Sequence, residues 1–180
     1  DKLGINMIQA QFFGGTADRL PDPEDMYDMV EANADILTGV SPYLGVNAVV
    51  RHGSDKFDRT SLYGVSEIMY NAATGYTIDG EQLAKGRFVS YMDVERRENI
   101  CVIGAYLEQE AFDGDALGKQ LSINGRPLTV VGVLKRNAEL EMLPGSQDDQ
   151  IYLPYTTALE IIGSRWVNFY IFTSSSGETA

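Results

Sequence analysis

The tightest constraint on this chain lies between Gly118 and Leu134, GKQLSINGRPLTVVGVL. Leu121 and Ile123 alternate with Gln120, Ser122 and Asn124, the period of two expected of a half-buried strand, whose successive side chains point to opposite faces. Asn124-Gly125 follows, two residues that tolerate the positive φ angles of a short hairpin loop. The return strand, Leu128 to Leu134, is apolar on both sides: Leu128, Val130 and Leu134 on one, Val131 and Val133 on the other. A strand apolar on both faces is covered on both, so the hairpin is expected in the middle of a sheet. Gly132 inside it predicts a bulge or the close approach of another element.

Around this hairpin the chain alternates strands with short helices. Leu3 to Phe13 reads as a first strand, ended by Gly14-Gly15. Asp22-Pro23-Glu24-Asp25 opens a helix, with a carboxylate cap, proline at the first position and acids in the first turn. Met26, Met29, Val30 and Leu37 line one face of it, and Gly39 is its expected stop. Gly45–Val50 and Thr60–Val65 read as strands, with a polar loop from His52 to Asp58 between them. Residues 67–83, rich in Tyr, Ala, Thr and Gly, read as loop with short helical turns. Asn99–Ile103 is a short buried strand and Ala105–Phe112 a helix, ending at the Asp113-Gly114-Asp115 turn. A polar loop from Arg136 to Gln150 leads to a strand at Ile151–Leu153, stopped by Pro154. Thr157 to Glu160 fits a capping box opening a helix that Gly163 closes, and Val167–Thr173 is the last strand before a polar tail. The pattern predicts an α+β, or mixed α/β, fold.

At 180 residues the chain is one domain or two small lobes. Its net charge of -12, with scattered basic residues, argues against nucleic acid or anionic lipid as the main partner. A single cysteine rules out an internal disulfide and a cysteine-based zinc site. There is no apolar run near the length of a membrane span and no signal-like start. The chain opens at Asp1 without a methionine, so we expect a processed or excised fragment whose flanks are missing.

Candidate chemistry fails motif by motif. Gly114–Gln120 has three residues between its glycines where a phosphate loop has four, and Gln120 replaces the magnesium-binding hydroxyl. Asp113–Gly118 opens like a calcium loop, but Leu117 takes a ligand position and Asn124 stands where the bidentate Glu belongs. His52, the only histidine, lies in a polar stretch, and Gly64-Val65-Ser66-Glu67-Ile68 lacks the closing glycine of a nucleophile elbow. Cys101 between Ile100 and Val102 reads as a buried thiol. The acids Asp22, Glu24, Asp25 and Asp28 are explained by a helix N-terminus, and Asp148-Asp149 by a solvated loop. Met26 and Met29 read as core packing, and Tyr152, Tyr155, Trp166 and Phe169 as half-buried core aromatics rather than an exposed patch. No catalytic, cofactor-binding or metal-binding residue is assigned.

Several stretches together resemble the extracytoplasmic core domain of MacB-type (FtsX-like) ABC transporter permeases. Leu3 to Ile8 is similar to the family's strand outside the first membrane helix. Gly64-Val65, Tyr76, Leu83, Gly86-Arg87-Phe88 and Asp93 follow its "G-V…Y…L..G-R.F…D" run. Val102-Ile103-Gly104 with Leu107 and Phe112, then Gly118-Lys119 through Gly125 to Leu134, and Tyr152, Pro154 and Thr157 follow its later elements. Leu128 departs from the pattern, standing where an aromatic is usual. The resemblance implies a non-enzymatic domain over residues 1–180 with two lobes, a mixed α/β one and a more β-rich inserted one at about 60–135, and a C-terminal element missing. It implies display outside the cell membrane between the first and second membrane helices. Implied partners are a cytoplasmic ABC ATPase subunit or domain, a second permease copy and an adaptor protein. The implied role is relay of ATP-driven change to export or release of a peptide, lipoprotein or small toxic compound. The alternative is a stand-alone ligand- or peptide-binding module of the cell surface. A hydrolase depending on His52 is a distant third.

Overall fold

A computed structural model describes residues 6–13 and 22–174. Its elements are β1 (Asn6–Gln11), α1 (Pro23–Ala32), β2 (Leu37–Pro42), β3 (Leu44–Val46), β4 (Val50–His52), β5 (Asp55–Phe57) and β6 (Ser61–Val65). After a single 3-10 turn at Glu67–Met69 come β7 (Tyr70–Asn71), β8 (Tyr76–Thr77), β9 (Leu83–Gly86), α2 (Tyr91–Glu95) and β10 (Ile100–Ile103). The chain continues through α3 (Ala105–Phe112), β11 (Gln120–Ile123), β12 (Arg126–Leu134), β13 (Gln150–Pro154), α4 (Tyr155–Ile162) and β14 (Phe169–Ser174). One sheet runs β3-β6-β13-β10-β12-β11-β4-β5, with β9 also on β12; a second runs β1-β14-β2, and β7 pairs with β8. The expected α+β class is what the chain adopts.

The β11–β12 hairpin sits centrally, as its two-sided apolar pattern requires. Asn124 (φ 49°) and Gly125 (φ 80°) make the two-residue turn, with Ile123 opposite Arg126. Beyond the turn, β12 runs parallel to β10, and the register slips between Cys101↔Val130 and Val102↔Gly132. Val131 is the extra residue of a bulge there, and a bulge reverses the alternation beyond it. Val133 therefore joins Leu128 and Val130 in one apolar cluster, and Leu134 joins the other. That corrects the expected grouping of Leu134 with Leu128. Gly132 also meets the close approach foreseen for it: a Cβ there would lie 2.0 Å from the Arg87 carbonyl oxygen.

The central strands divide two cores. Cys101 and Ile103 enter the first with Leu107 and Phe112 of α3, while Val102 enters the second with Tyr152 and Phe172. Successive residues of one strand thus serve opposite layers, the arrangement of a sheet covered on both faces.

Elsewhere local pattern and structure part company. Asp22 caps α1 and shares a capping box with Asp25, as expected. The helix nevertheless ends at Ala32, where the Asn33 side chain donates to the Met29 carbonyl at 2.7 Å. Leu37–Pro42 then pairs with β14 rather than continuing the helix to Gly39; sheet pairing overrides an apolar spacing that also suits a helix. His52–Asp58 is no loop but the β4–β5 hairpin, turned at Gly53 (φ 60°). The exposed Asp55 and Lys56 of β5 belong to an edge strand, where charge is common. α4 starts straight after Pro154 without a side-chain cap. Thr157 is buried inside its first turn, donating to the Glu98 carbonyl at 2.8 Å, so it caps nothing. Gly163 closes this helix (φ 65°) and α3 spans Ala105–Phe112, both as expected. Gly14-Gly15 lies outside the described residues.

Candidate functional site

Six rings form a continuous ladder across the molecule. Tyr70 stacks on Phe88 with centroids 5.4 Å apart, Phe88 meets Tyr152 at 5.4 Å, and Tyr152 lies 5.9 Å from Tyr63. Tyr63 stacks on Tyr43 at 4.8 Å, and Tyr43 meets Phe169 of β14 edge-on at 5.8 Å. Tyr63 and Tyr152 are direct partners across β6 and β13, so their side chains share a sheet face. The ladder joins the three-stranded sheet to the segment around β7 and β8.

A cleft of about 270 Å³ opens beside Tyr43 and Tyr63, lined also by Asp79, Glu81, Gln147 and Gln150. The short segment after β8 delivers the two carboxylates. The Thr77 hydroxyl accepts from the Glu81 N–H at 2.8 Å and donates to Asp79 Oδ1 at 2.5 Å, folding this stretch back on itself. Asp79 Oδ2 accepts from the buried Tyr152 hydroxyl, and Glu81 Oε1 from the Gln147 amide. Burial raises the Glu81 carboxyl above the usual range; the Gln147 hydrogen bond opposes this, and the charge of Asp79 adds to it. Burial, then Asp79, likewise pushes up the Tyr152 and Tyr43 hydroxyls. Gln150 is 7% exposed and, like Gln147, opposes the rise of the Glu81 carboxyl. Carboxylates, phenols and two amides gather around this small cleft, which is rich in acceptors and aromatic faces.

The residues singled out from sequence go elsewhere. Lys119 pairs with Asp115 at 3.2 Å and Asp113 (φ 50°) caps the end of α3, so the phosphate-like and calcium-like stretches form one turn. The His52 ring packs on Phe112, centroids 4.5 Å apart. Cys101 is fully buried, which pushes its thiol up to about 12. Met26 is in the core, but Met29 is 38% exposed. Of the four aromatics, Tyr152 and Tyr155 are buried, Phe169 is half-buried and Trp166 is exposed. Asp148-Asp149 is corrected outright: both are buried. Asp149 accepts from Thr60 Oγ1 at 2.6 Å and Gly145 N–H at 2.7 Å, and Asp148 from Asn137 N–H at 2.9 Å. Thr60 comes from the turn before β6 and Asn137 from the far end of the same β12–β13 loop, contacts that the Asp148-Asp149 pair itself does not announce. The cleft was missed for the same reason: its residues are scattered from Tyr43 to Gln150 and share no spacing.

Among the described residues no helix is long and apolar enough to cross a membrane. The family described as MacB-like periplasmic core domain matches residues 2–180. A macrolide export ATP-binding/permease protein MacB from Aggregatibacter actinomycetemcomitans is 28% identical over 132 residues, covering 72% of this chain and 19% of that protein. The protein of the same name from Neisseria gonorrhoeae is 34% identical over 111 residues, 60% of this chain and 16% of that one. The chain thus spans about a fifth or less of these relatives. The crystal structure of the periplasmic region of MacB from Actinobacillus actinomycetemcomitans superposes with a TM-score of 0.76 at 21% identity, over 98% of this chain and 78% of that one. The extracellular domain of YknZ, a noncanonic ABC-type transporter from Gram-positive bacteria, gives 0.73 at 17% identity, over 96% and 86%. At such identities the two structures establish likeness of fold.

Proposed function

Because the chain belongs to the MacB-like periplasmic core domain family, we propose that it is the extracytoplasmic domain of an ABC transporter permease and relays ATP-driven conformational change to export or release of a substrate. One observation carries the reading. β1 and β14 pair antiparallel from Asn6↔Ser174 to Gln11↔Phe169, so the chain enters and leaves the fold side by side on adjacent strands. A domain strung between two membrane helices needs neighbouring entry and exit. A hydrogen-bonded strand pair also moves as one body when the helices below it shift. The domain kind is non-catalytic; the ATPase, a second permease copy and an adaptor outside the membrane are its proposed partners. In this reading the domain has two lobes, the more β-rich one inserted at about 60–135, and contacts cargo or an adaptor. The relatives are named for macrolide export; a peptide, a lipoprotein or a small toxic compound is the proposed range of cargo.

The first test is the hydropathy of the parent reading frame, where one apolar span of about twenty residues upstream and three downstream are expected. Their absence would leave a likeness of fold and the stand-alone binding module instead. The relay itself is tested in the full permease by spin-label distances between the domains of two copies, with and without ATP. A nucleotide-dependent change is expected; unchanged distances during active transport would remove the relay.

A further inference from the structure

We propose that Asn124-Gly125 is a site of spontaneous deamidation that the native fold holds shut and that opens only when the central hairpin does. Asn124 is the only asparagine of the chain followed by glycine, and both residues are exposed at the tip of the β11–β12 turn. The chemistry needs water alone. The Gly125 backbone nitrogen, its proton given up to solvent, attacks the Asn124 side-chain carbonyl carbon. A C–N bond forms, the bond to Nδ2 breaks, and ammonia leaves with a proton taken back from solvent. Water then opens the five-membered imide at either carbonyl, giving aspartate or isoaspartate; nothing is oxidised or reduced. Glycine favours the attack because no Cβ crowds its nitrogen.

In the folded chain the turn opposes ring closure. Val49 holds the asparagine at both ends: its N–H donates to Oδ1 at 2.7 Å, and its carbonyl accepts from the Asn124 N–H at 2.9 Å. Swinging the side-chain carbon onto Gly125 breaks the first of these. The imide ring also fixes ψ of Asn124 away from the left-handed region in which φ 49° places it, so the turn must open first. Opening is resisted by Ile123, fully buried and paired with both Arg126 and Val50. The two products differ in consequence. Aspartate at 124 keeps an acceptor oxygen for Val49 and tolerates the left-handed turn. Isoaspartate carries the backbone through an added methylene, for which a two-residue loop between paired Ile123 and Arg126 has no place. An excursion to the unfolded state thus leaves a mark that bars the hairpin from closing again. The site is a property of the chain itself and does not depend on the transport reading.

The test follows the peptide spanning Asn124 by mass spectrometry while this chain is held at mildly alkaline pH, in buffer and in unfolding urea. In urea the peptide should gain the mass of an –NH₂ to –OH exchange. In buffer it should do so at least about tenfold more slowly, because reaction from an opened state follows the population of that state. Gly125→Ala is compared in urea, where folding plays no part, and should slow the reaction several-fold. Val49→Pro removes the N–H and keeps the carbonyl; in a variant with a native spectrum it should speed the reaction in buffer and leave the rate in urea unchanged. On dilution of an aged sample from urea, aspartate and unmodified chains should return to the folded pool and isoaspartate should collect in the other. Equal rates in buffer and urea, an unaffected Gly125→Ala rate in urea, an unaffected rate for folded Val49→Pro in buffer, or isoaspartate shared evenly between the pools overturns the proposal. Such a result leaves the permease reading untouched, because only the chemistry of the turn is followed.

Discussion

Arg87 grips Asp93 with both terminal guanidinium nitrogens, Nη1 to Oδ2 at 2.6 Å and Nη2 to Oδ1 at 3.1 Å. The same carboxylate accepts from the Ser90 N–H and hydroxyl, both at 2.8 Å, closing the capping box that starts α2. Asp93 is buried while the Arg87 side chain is half exposed. The Gly86-Arg87-Phe88…Asp93 spacing in the sequence is therefore a fastening between β9 and α2. Arg87→Met should lower stability by about 1.5–3 kcal/mol, the range for hydrogen bonds to a charged group. Arg87→Lys keeps the charge but loses the fork, and should fall between that variant and the wild type. Urea midpoints decide; a loss under about 0.5 kcal/mol for Arg87→Met would make the pair an ordinary surface contact.

Acid should undo this fastening and ease a different strain. Burial alone would raise the Asp93 carboxyl, but the Arg87 and Ser90 hydrogen bonds outweigh it and hold it below the usual range. Its contribution is fully present above the unfolded value of about 3.9 and is lost as pH falls through the lower folded value. Glu81 is raised by burial, so the folded state holds its proton to higher pH than the unfolded chain. Its penalty appears as pH rises through that window and vanishes below about 4.3. In urea unfolding followed against pH, Asp93→Asn should flatten the acid limb. Glu81→Gln should gain on the wild type more at pH 7 than at pH 4. A Glu81→Gln difference that is the same at both would show that its burial does not oppose its charge.

Two glycines in strands should answer oppositely to alanine. At Gly132 the new Cβ would meet the Arg87 carbonyl oxygen at 2.0 Å, against backbone that no rotamer change can move. Gly132→Ala should cost about 3 kcal/mol or more, the upper end of overpacking. Gly45 in β3 has nothing within 4 Å of the same atom, so Gly45→Ala should be neutral or gain about 0.5 kcal/mol. Thermal melts of the pair decide, and similar melting temperatures would sink the close-approach account.

What the sequence disclosed is what a few adjacent residues can encode. Asn124-Gly125 dictates its own turn, Asp22-Pro23 its own helix start, and Ala105–Phe112 its own helix. The Val131 bulge, the α1 stop at Asn33 and the burial of Asp149 depend on partners far along the chain: β10, β14 and Thr60. The cleft is the extreme case, because neither Glu81 nor Gln150 is unusual until the fold sets them together.

Even the legible turn holds a long-range contact. Asn124 Oδ1 accepts from the Val49 N–H at 2.7 Å, tying the hairpin tip to the residue before β4. Asn124→Ala loses this bond and places a Cβ-only residue at φ 49°. A cost of about 1–3 kcal/mol is expected, one hydrogen bond plus left-handed strain. Asn124→Gly keeps the turn and loses only the bond, so it should cost less. Equal urea midpoints for the two variants would remove the strain contribution.

Cys101 reports on the whole fold. It lies beside Val130, one step before the β12 bulge, and is fully buried between strands. Burial pushes its thiol up to about 12, and only the thiolate attacks a disulfide reagent. In native buffer, labelling must wait for the central sheet to open, so it should be slow. It should accelerate with urea along the same slope as global unfolding, because this position belongs to the most protected part of the structure. A labelling rate that rises at low urea, well before the fluorescence transition, would mean that β10 and β12 separate locally and that the bulge is a weak seam. A single shared transition would show that the bulged pairing is as firm as the cores on either side of it.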